Sequence, residues 1–142
     1  MSYMKYNPTW SLEQFREFDG EGKILKPHGF PDYDSSVDWC GPADNPKLAS
    51  MIPDAIMGVS VSVAGYRHDL HYAMGKKMRP KWCRLQYVWR LCGDQRFRAD
   101  LMSLIKASDL NAADMKLAKR FAKMYYWSVR CGGWKHCTRK NT

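Results

Sequence analysis

The chain has 142 residues, 45% of them hydrophobic, which suits one globular domain with a single core and leaves too little for a second. Aromatic residues reach 13%, with six Trp, enough apolar surface to offset the entropy of ordering the chain, and this excludes a disordered protein. The net charge of +9 is divided unevenly: residues 1–71 hold 6 basic and 10 acidic side chains, residues 72–142 hold 17 and 4, so the basic half favours a polyanionic partner, either a phosphate-rich lipid surface or nucleic acid.

The opening MSYMKYNPTW has no apolar h-region, so no signal peptide is expected. Ser11-Leu12-Glu13-Gln14 reads as a capping box that opens a short helix to about Phe18, stopped by Gly20 and Gly22. Residues 23–53 carry Pro27, Pro31, Pro42, Pro46 and Pro53 among several Asp. They predict a long turning loop with a short strand near Lys23–Lys26, and a loop of this length is a candidate ligand or metal loop.

Asp54 is expected to cap a long helix running to about Met74, ended by Gly75 and the cationic Lys76-Lys77. Its apolar residues fall on two faces, Ile56, Val59, Val63 and Leu70 on one and Val61, Gly65, His68 and Tyr72 on the other, so the helix should be central and covered on both sides. A second helix is expected from Lys81 to Leu91, then Gly93 and an N-cap at Asp94 opening a third from Gln95 to Lys106. On that third helix Asp100 shares the face of Phe97, Leu101, Leu104 and Ile105. The last helix, Asn111 to Arg130, should bury Met115, Ala118, Ala122 and Tyr125 and stop at Gly132-Gly133.

The expected fold is therefore mainly α, three to four helices behind a long Pro-rich N-terminal loop region, in one domain. Residues 1–53 form its front, 54–134 its helical core and 135–142 a tail. The weakly charged stretch Met51–Tyr66 is shorter than the ~20 apolar residues of a membrane span. Five Cys (Cys40, Cys83, Cys92, Cys131, Cys137) without a CxxC pair read as reduced thiols of a cytoplasmic setting. Cys131, His136 and Cys137 come nearest to a zinc half-site and lack its tight paired spacing.

Chemistry concentrates in Ala64-Gly65-Tyr66-Arg67-His68-Asp69-Leu70-His71-Tyr72. Neighbours on a helix point about 100° apart, so His68 and Asp69 serve different parts of one site: the imidazole as a general base, the carboxylate as a ligand for a hard cation. The alternative is a satisfied core histidine beside a solvated aspartate. Asp100, on a buried stripe, needs a partner. If the two long helices pack antiparallel that partner is His68, whose tautomer it would fix; the alternative is a salt bridge to Arg96 or Arg67.

His68-Asp69-x-x-Tyr72 followed by Ala99-Asp100 on a second helix resembles the phospholipase A2 superfamily. The resemblance implies a central antiparallel helix pair, His68 as the base that activates water, Asp69 as a Ca²⁺ ligand, Asp100 as the acid that orients His68, and Tyr72 as a supporting hydroxyl. Trp39-Cys40-Gly41-Pro42-Ala43-Asp44-Asn45 stands where relatives place a calcium loop, so Cys40 and Gly41 would contribute to the metal. The chain departs from the family in keeping only Gly41 of the loop glycines, and in having Ala64, Gly65 and His71 where secreted members have Cys around the His.

A second resemblance covers more of the chain. Gly29-Phe30, Asp34-Ser35-Ser36-Val37, His68 to Tyr72, Arg98-Ala99-Asp100, Tyr125-Tyr126, Val129-Arg130 and Gly132-Gly133-Trp134 look like a domain-of-unknown-function family of small bacteriophage and prophage proteins, often encoded among tail genes. It implies a virion setting, or the host cytoplasm before assembly, with other virion proteins as partners and an oligomer within the assembly. Three functions follow as expectations. The first is a calcium-dependent hydrolase of lipid esters held on phospholipid by the basic half. The second is a structural or accessory tail protein using Trp82, Trp89, Trp127 and Trp134 in the core or at contacts. The third is a nucleic-acid binder or nuclease, drawn from the aromatic and basic run Lys81–Arg90; the chain has no helix-turn-helix, zinc-finger or RNP signature and lacks the companion ligands of a nuclease metal site.

Overall fold

The computed structural model describes residues 3–36, 39, 54–78 and 83–132. Among them the order is β1 (Met4–Lys5), α1 (Leu12–Gly20), β2 (Ile24–Leu25), β3 (Ala55–Ile56), β4 (Val59–Ser60), α2 (Ser62–Met78), α3 (Cys83–Lys106) and α4 (Ala112–Gly132). The fold is mainly α, as the helical periodicities predict.

The front of the chain follows its local signals. Ser11 accepts from the backbone of Gln14, and the Gln14 side chain accepts from the Ser11 amide at 3.0 Å, a complete capping box that satisfies two otherwise orphaned donors. The chain leaves α1 through Gly22 at φ +67, a conformation that costs glycine little, and enters β2, which pairs in parallel with β1 (Met4 with Ile24, Lys5 with Leu25). The short strand expected near Lys23–Lys26 is thus present.

The start of the central helix differs from expectation. Asp54 does not cap it. A hairpin pairs Ala55 with Ser60 and Ile56 with Val59, turned at Met57 (φ 50) and Gly58 (φ 81). Two successive positive φ values match the primed turns whose twist suits a two-residue hairpin. The Asp54 carbonyl accepts the Val61 amide at 2.7 Å, closing the hairpin, and α2 begins only at Ser62 and runs through Gly75.

The two helices expected on either side of Gly93-Asp94 are one, α3, with both residues inside it. Tertiary packing overrides the local stop signal here. A Cβ on Gly93 would come within 2.3 Å of the His71 ring, so the glycine lets the two helices approach closely. The last helix is close to expectation: Asn111 accepts the Asp114 amide at 2.8 Å and donates to the Asp114 carboxylate at 3.2 Å, opening α4.

Cross-helix contacts give the directions. His71 meets Trp89, His68 meets Asp94 and Arg67 meets Asp100, so α2 and α3 are antiparallel; Asp94 meets Arg130 and Arg98 lies over Tyr126, so α3 and α4 are too. α2 is covered on both sides, as its two apolar faces predict. One side packs Val61 and Ala64 with Ile56, Phe97, Leu101, Ile105, Ala118, Ala122 and Tyr125. The other packs Val63, Tyr66, Leu70 and Met74 with Tyr6, Leu12, Phe15, Ile24 and Trp39 from the front of the chain. Full burial of each large side chain contributes about 1.5–3 kcal/mol. Among the described residues no helix is long and apolar enough to cross a membrane.

Arg67 ties the front to the bundle from inside the second cluster. Its buried guanidinium donates to the Trp10 carbonyl at 2.7 Å, the Pro8 carbonyl at 3.3 Å and the Tyr6 hydroxyl at 3.2 Å, and faces Asp100 at 3.5 Å. A buried charge is tolerated only when its donors are so occupied.

Candidate functional site

His68 occupies the seam of α2 against α3, its ring between those of Tyr72 (4.4 Å) and Phe97 (4.8 Å). The carboxylate that meets it is Asp94, not Asp100: His68 Nε2 lies 2.6 Å from Asp94 Oδ1. The same oxygen accepts the Tyr72 hydroxyl at 2.5 Å, and Oδ2 accepts from Arg130 at 2.7 Å. Asp94 is fully buried. Burial alone would raise its pKa, yet the bonds from His68, Tyr72 and Arg130 prevail and hold the carboxyl below the usual value. An ionised carboxylate only accepts, so Nε2 of His68 carries a hydrogen and donates it to Asp94. Nδ1 makes no hydrogen bond among the described residues, and the residue keeps 9% of its surface exposed.

The assignment of Asp100 as the acid that orients His68 is therefore corrected. Asp100 accepts from Arg96 at 3.0 Å and faces Arg67 at 3.5 Å, the salt-bridge alternative. Geometry decides it: Arg67, one residue before His68 on α2, stands opposite Asp100, whereas His68 stands opposite Asp94. Burial raises the Asp100 pKa despite the two guanidiniums.

Of the other site residues, Tyr72 joins the His68 network through Asp94. Asp69 is partly buried on α2. Cys40 and Gly41, the expected carbonyl donors for calcium, lie outside the described residues, as do Trp82, Trp134, His136 and Cys137. Among the described residues no group of three or more His, Cys, Asp and Glu gathers as a metal site. Of the three residues expected at calcium, Asp69 alone lies within the described residues, and the ion takes six to eight oxygens. Cys92 and Cys131 are free thiols.

Asp94 and Arg130 are the members of the network that pattern reading missed. Gly93-Asp94 reads as a helix break, which removes Asp94 from any buried face. The signal that finds it is spacing: Asp94, Phe97 and Leu101 fall three and four residues apart, on one side of a continuous helix.

Comparisons of the chain with protein-family models, with curated proteins and with solved structures give no match.

Proposed function

We propose that the protein is a bacteriophage virion or tail-associated hydrolase of phospholipid esters, with His68 as its general base. The observation that carries this reading is the 2.6 Å bond from His68 Nε2 to a buried, ionised Asp94 that also accepts from Tyr72 and Arg130. Such a carboxylate fixes the tautomer and stabilises the imidazolium that forms during turnover.

The chain's own residues act as follows. His68 Nδ1 takes a proton from a water, and the resulting hydroxide attacks the ester carbonyl carbon. The tetrahedral intermediate collapses with rupture of the acyl carbon–oxygen bond, and the imidazolium returns the proton to the departing alkoxide. A fatty acid and an alcohol result. A calcium ion held through Asp69 would polarise the ester carbonyl. Tyr72 and Arg130 keep Asp94 ionised and in place.

The outward side of α4 supports a phospholipid setting. Leu117, Phe121, Met124 and Trp127 are exposed along it, Met124 by 60% and Trp127 by 62%, and exposed Lys116, Arg120 and Lys123 line one flank. An apolar stripe edged with cations is the pattern of a helix lying on an anionic bilayer.

Fatty-acid release from anionic vesicles with calcium present tests the activity. Wild type should release fatty acid and His68→Ala should lose it by about 10²-fold or more, the usual worth of a general base; equal release by the two overturns the reading.

A second reading, a non-catalytic structural or accessory tail protein, draws on one specific observation. The His68–Asp94–Arg130 chain links α2, α3 and α4 through buried and partly buried side chains, as a clamp for a bundle would. Under this reading His68→Ala lowers stability while vesicle hydrolysis is absent from both proteins, and the chain is found at fixed stoichiometry in purified particles.

A further inference from the structure

One turn before Asp94 on the same side of α3 lies Arg90, which the hydrolytic scheme does not use. It is 8% exposed, and its Nε is buried with no hydrogen-bond partner. No carboxylate stands within ion-pair distance of it among the described residues. A second guanidinium borders the same ring: Arg90 is 5.8 Å and Arg130 5.5 Å from the ring centre of Tyr87. Asp94 neutralises Arg130 at 2.7 Å, so among the described residues no carboxylate is left to balance the charge of Arg90. Arg67, the other buried guanidinium among the described residues, is satisfied, with three oxygen acceptors besides Asp100.

A buried guanidinium N–H without an acceptor is costly, and a bound anion that also meets the terminal nitrogens would satisfy it. We infer that Arg90 and Arg130, set around Tyr87 at the α3–α4 seam, form a binding site for a phosphate group. Two forked donors arriving from different helices suit a tetrahedral oxyanion better than a planar carboxylate, which a single fork satisfies. Arg130 joins this site to the His68 network through Asp94, so the bound phosphate sits beside that network. The inference concerns binding alone and stands whether or not His68 performs hydrolysis. The phosphate can come from a phosphodiester such as a lipid headgroup or from the free ion, and the two sources are separable.

The arginine Nε–H signals of ¹⁵N-labelled full-length protein are followed by NMR during titration with inorganic phosphate, with ionic strength held constant by NaCl. A parallel arm uses dimethyl phosphate. The Arg90 and Arg130 signals should move together on one saturable curve, with tighter binding of dimethyl phosphate for a diester site and of inorganic phosphate for a free-ion site. Arg90→Lys keeps the charge and loses the fork, and should weaken binding about tenfold; Arg90→Met should abolish it. Replacing remote exposed cations, Arg16→Gln with Lys106→Gln, should leave the affinity unchanged. Non-saturating shifts in both arms, equal affinity in wild type and Arg90→Lys, or equal weakening by the remote pair would overturn the inference. Saturable binding in a protein that releases no fatty acid would sink the hydrolase and keep the site.

Discussion

His71 is neutral because of where it stands. Its Nε2 lies 2.7 Å from the Trp89 carbonyl and must donate to it, the Trp89 indole donates back to the His71 carbonyl at 2.7 Å, and the rings stack at 4.0 Å. Nδ1 is buried without a partner, so a second proton would have no acceptor. Burial pushes the pKa down to about 4 from 6.5. A base with a depressed folded-state pKa stabilises the fold above its unfolded value. That contribution is lost as pH falls from 6.5 toward 4, because the unfolded chain takes the proton first. About 3 kcal/mol is at stake, from 1.36 kcal/mol per pKa unit. Urea midpoints measured across this window should fall in wild type and stay nearly level in His71→Phe; parallel curves would rule the account out. The two buried aspartates titrate with opposite signs. Asp94, lowered, stabilises the fold above pH 3.8 and loses that contribution below it, while the raised pKa of Asp100 makes its ionisation a cost that accrues as pH rises from 3.8 toward its folded value. At neutral pH Asp94→Asn should therefore cost about 3–5 kcal/mol, since it strips Arg130 of its counter-charge, and Asp100→Asn less, because relief of the desolvation that raises its pKa offsets part of the loss to Arg67 and Arg96. Chemical denaturation of the two variants would show the order; reversal of it would make the Arg67–Asp100 pair, and not the Asp94 network, the stronger tie of the bundle.

At the scale of elements, the seam between α2 and α3 turns on Gly93. Helix propensity alone favours Gly93→Ala by about 1 kcal/mol. The 2.3 Å approach of its Cβ to His71 opposes this, because a stacked and hydrogen-bonded ring has little room to give and overpacking costs about 1–3 kcal/mol. Gly93→Ala should thus destabilise wild type, yet stabilise a His71→Ala background where the ring is gone. A thermal-melt double-mutant cycle reads both signs, and additive effects would show that the glycine is merely tolerated. The same position explains which parts of the fold were legible in the sequence. The cap at Ser11 was, since it is closed by a side chain three residues away, and so was the start of α4 near Asn111. The two-sided burial of α2 was also legible, from the spacing of Val61, Val63 and Leu70. The hairpin at Met57-Gly58 was not, because Asp54 followed by an apolar run reads as a helix start until a turn with two positive φ values intervenes. The continuity of α3 was hidden too, because Gly-Asp is a local stop that only the His71 ring and the Asp94 partners overrule. That single misreading moved the expected partner of His68 from Asp94 to Asp100, while His68 and Tyr72 themselves were legible.

For the whole molecule, the uneven charge along the chain becomes an arrangement in space. The acidic front packs over one side of α2, and the basic helices α3 and α4 form the other, with Arg67 and Asp100 joined between them. The outer side of α4 then presents Met124 and Trp127 beside Lys116, Arg120 and Lys123, far from the residues that fold the bundle, which use Ala118, Ala122 and Tyr125 of the same helix. Stability and surface attachment should therefore separate. Met124→Ser with Trp127→Ser removes apolar contact area that is mostly exposed, Trp127 meeting the buried Tyr126 ring edge-on at 5.3 Å, so the melting temperature should move little, as exposed substitutions change stability by about 0.5 kcal/mol or less. Sedimentation with anionic vesicles should drop about tenfold or more, because each buried apolar group contributes to interfacial binding. Salt supplies the second half of the test. The pull of Lys116, Arg120 and Lys123 on anionic headgroups is screened as ionic strength rises, so wild type should weaken with salt but keep the residual hold of its aromatic stripe, and the double variant should be released altogether. Equal retention of the two proteins at every salt concentration would mean that the apolar stripe of α4 does not meet the bilayer.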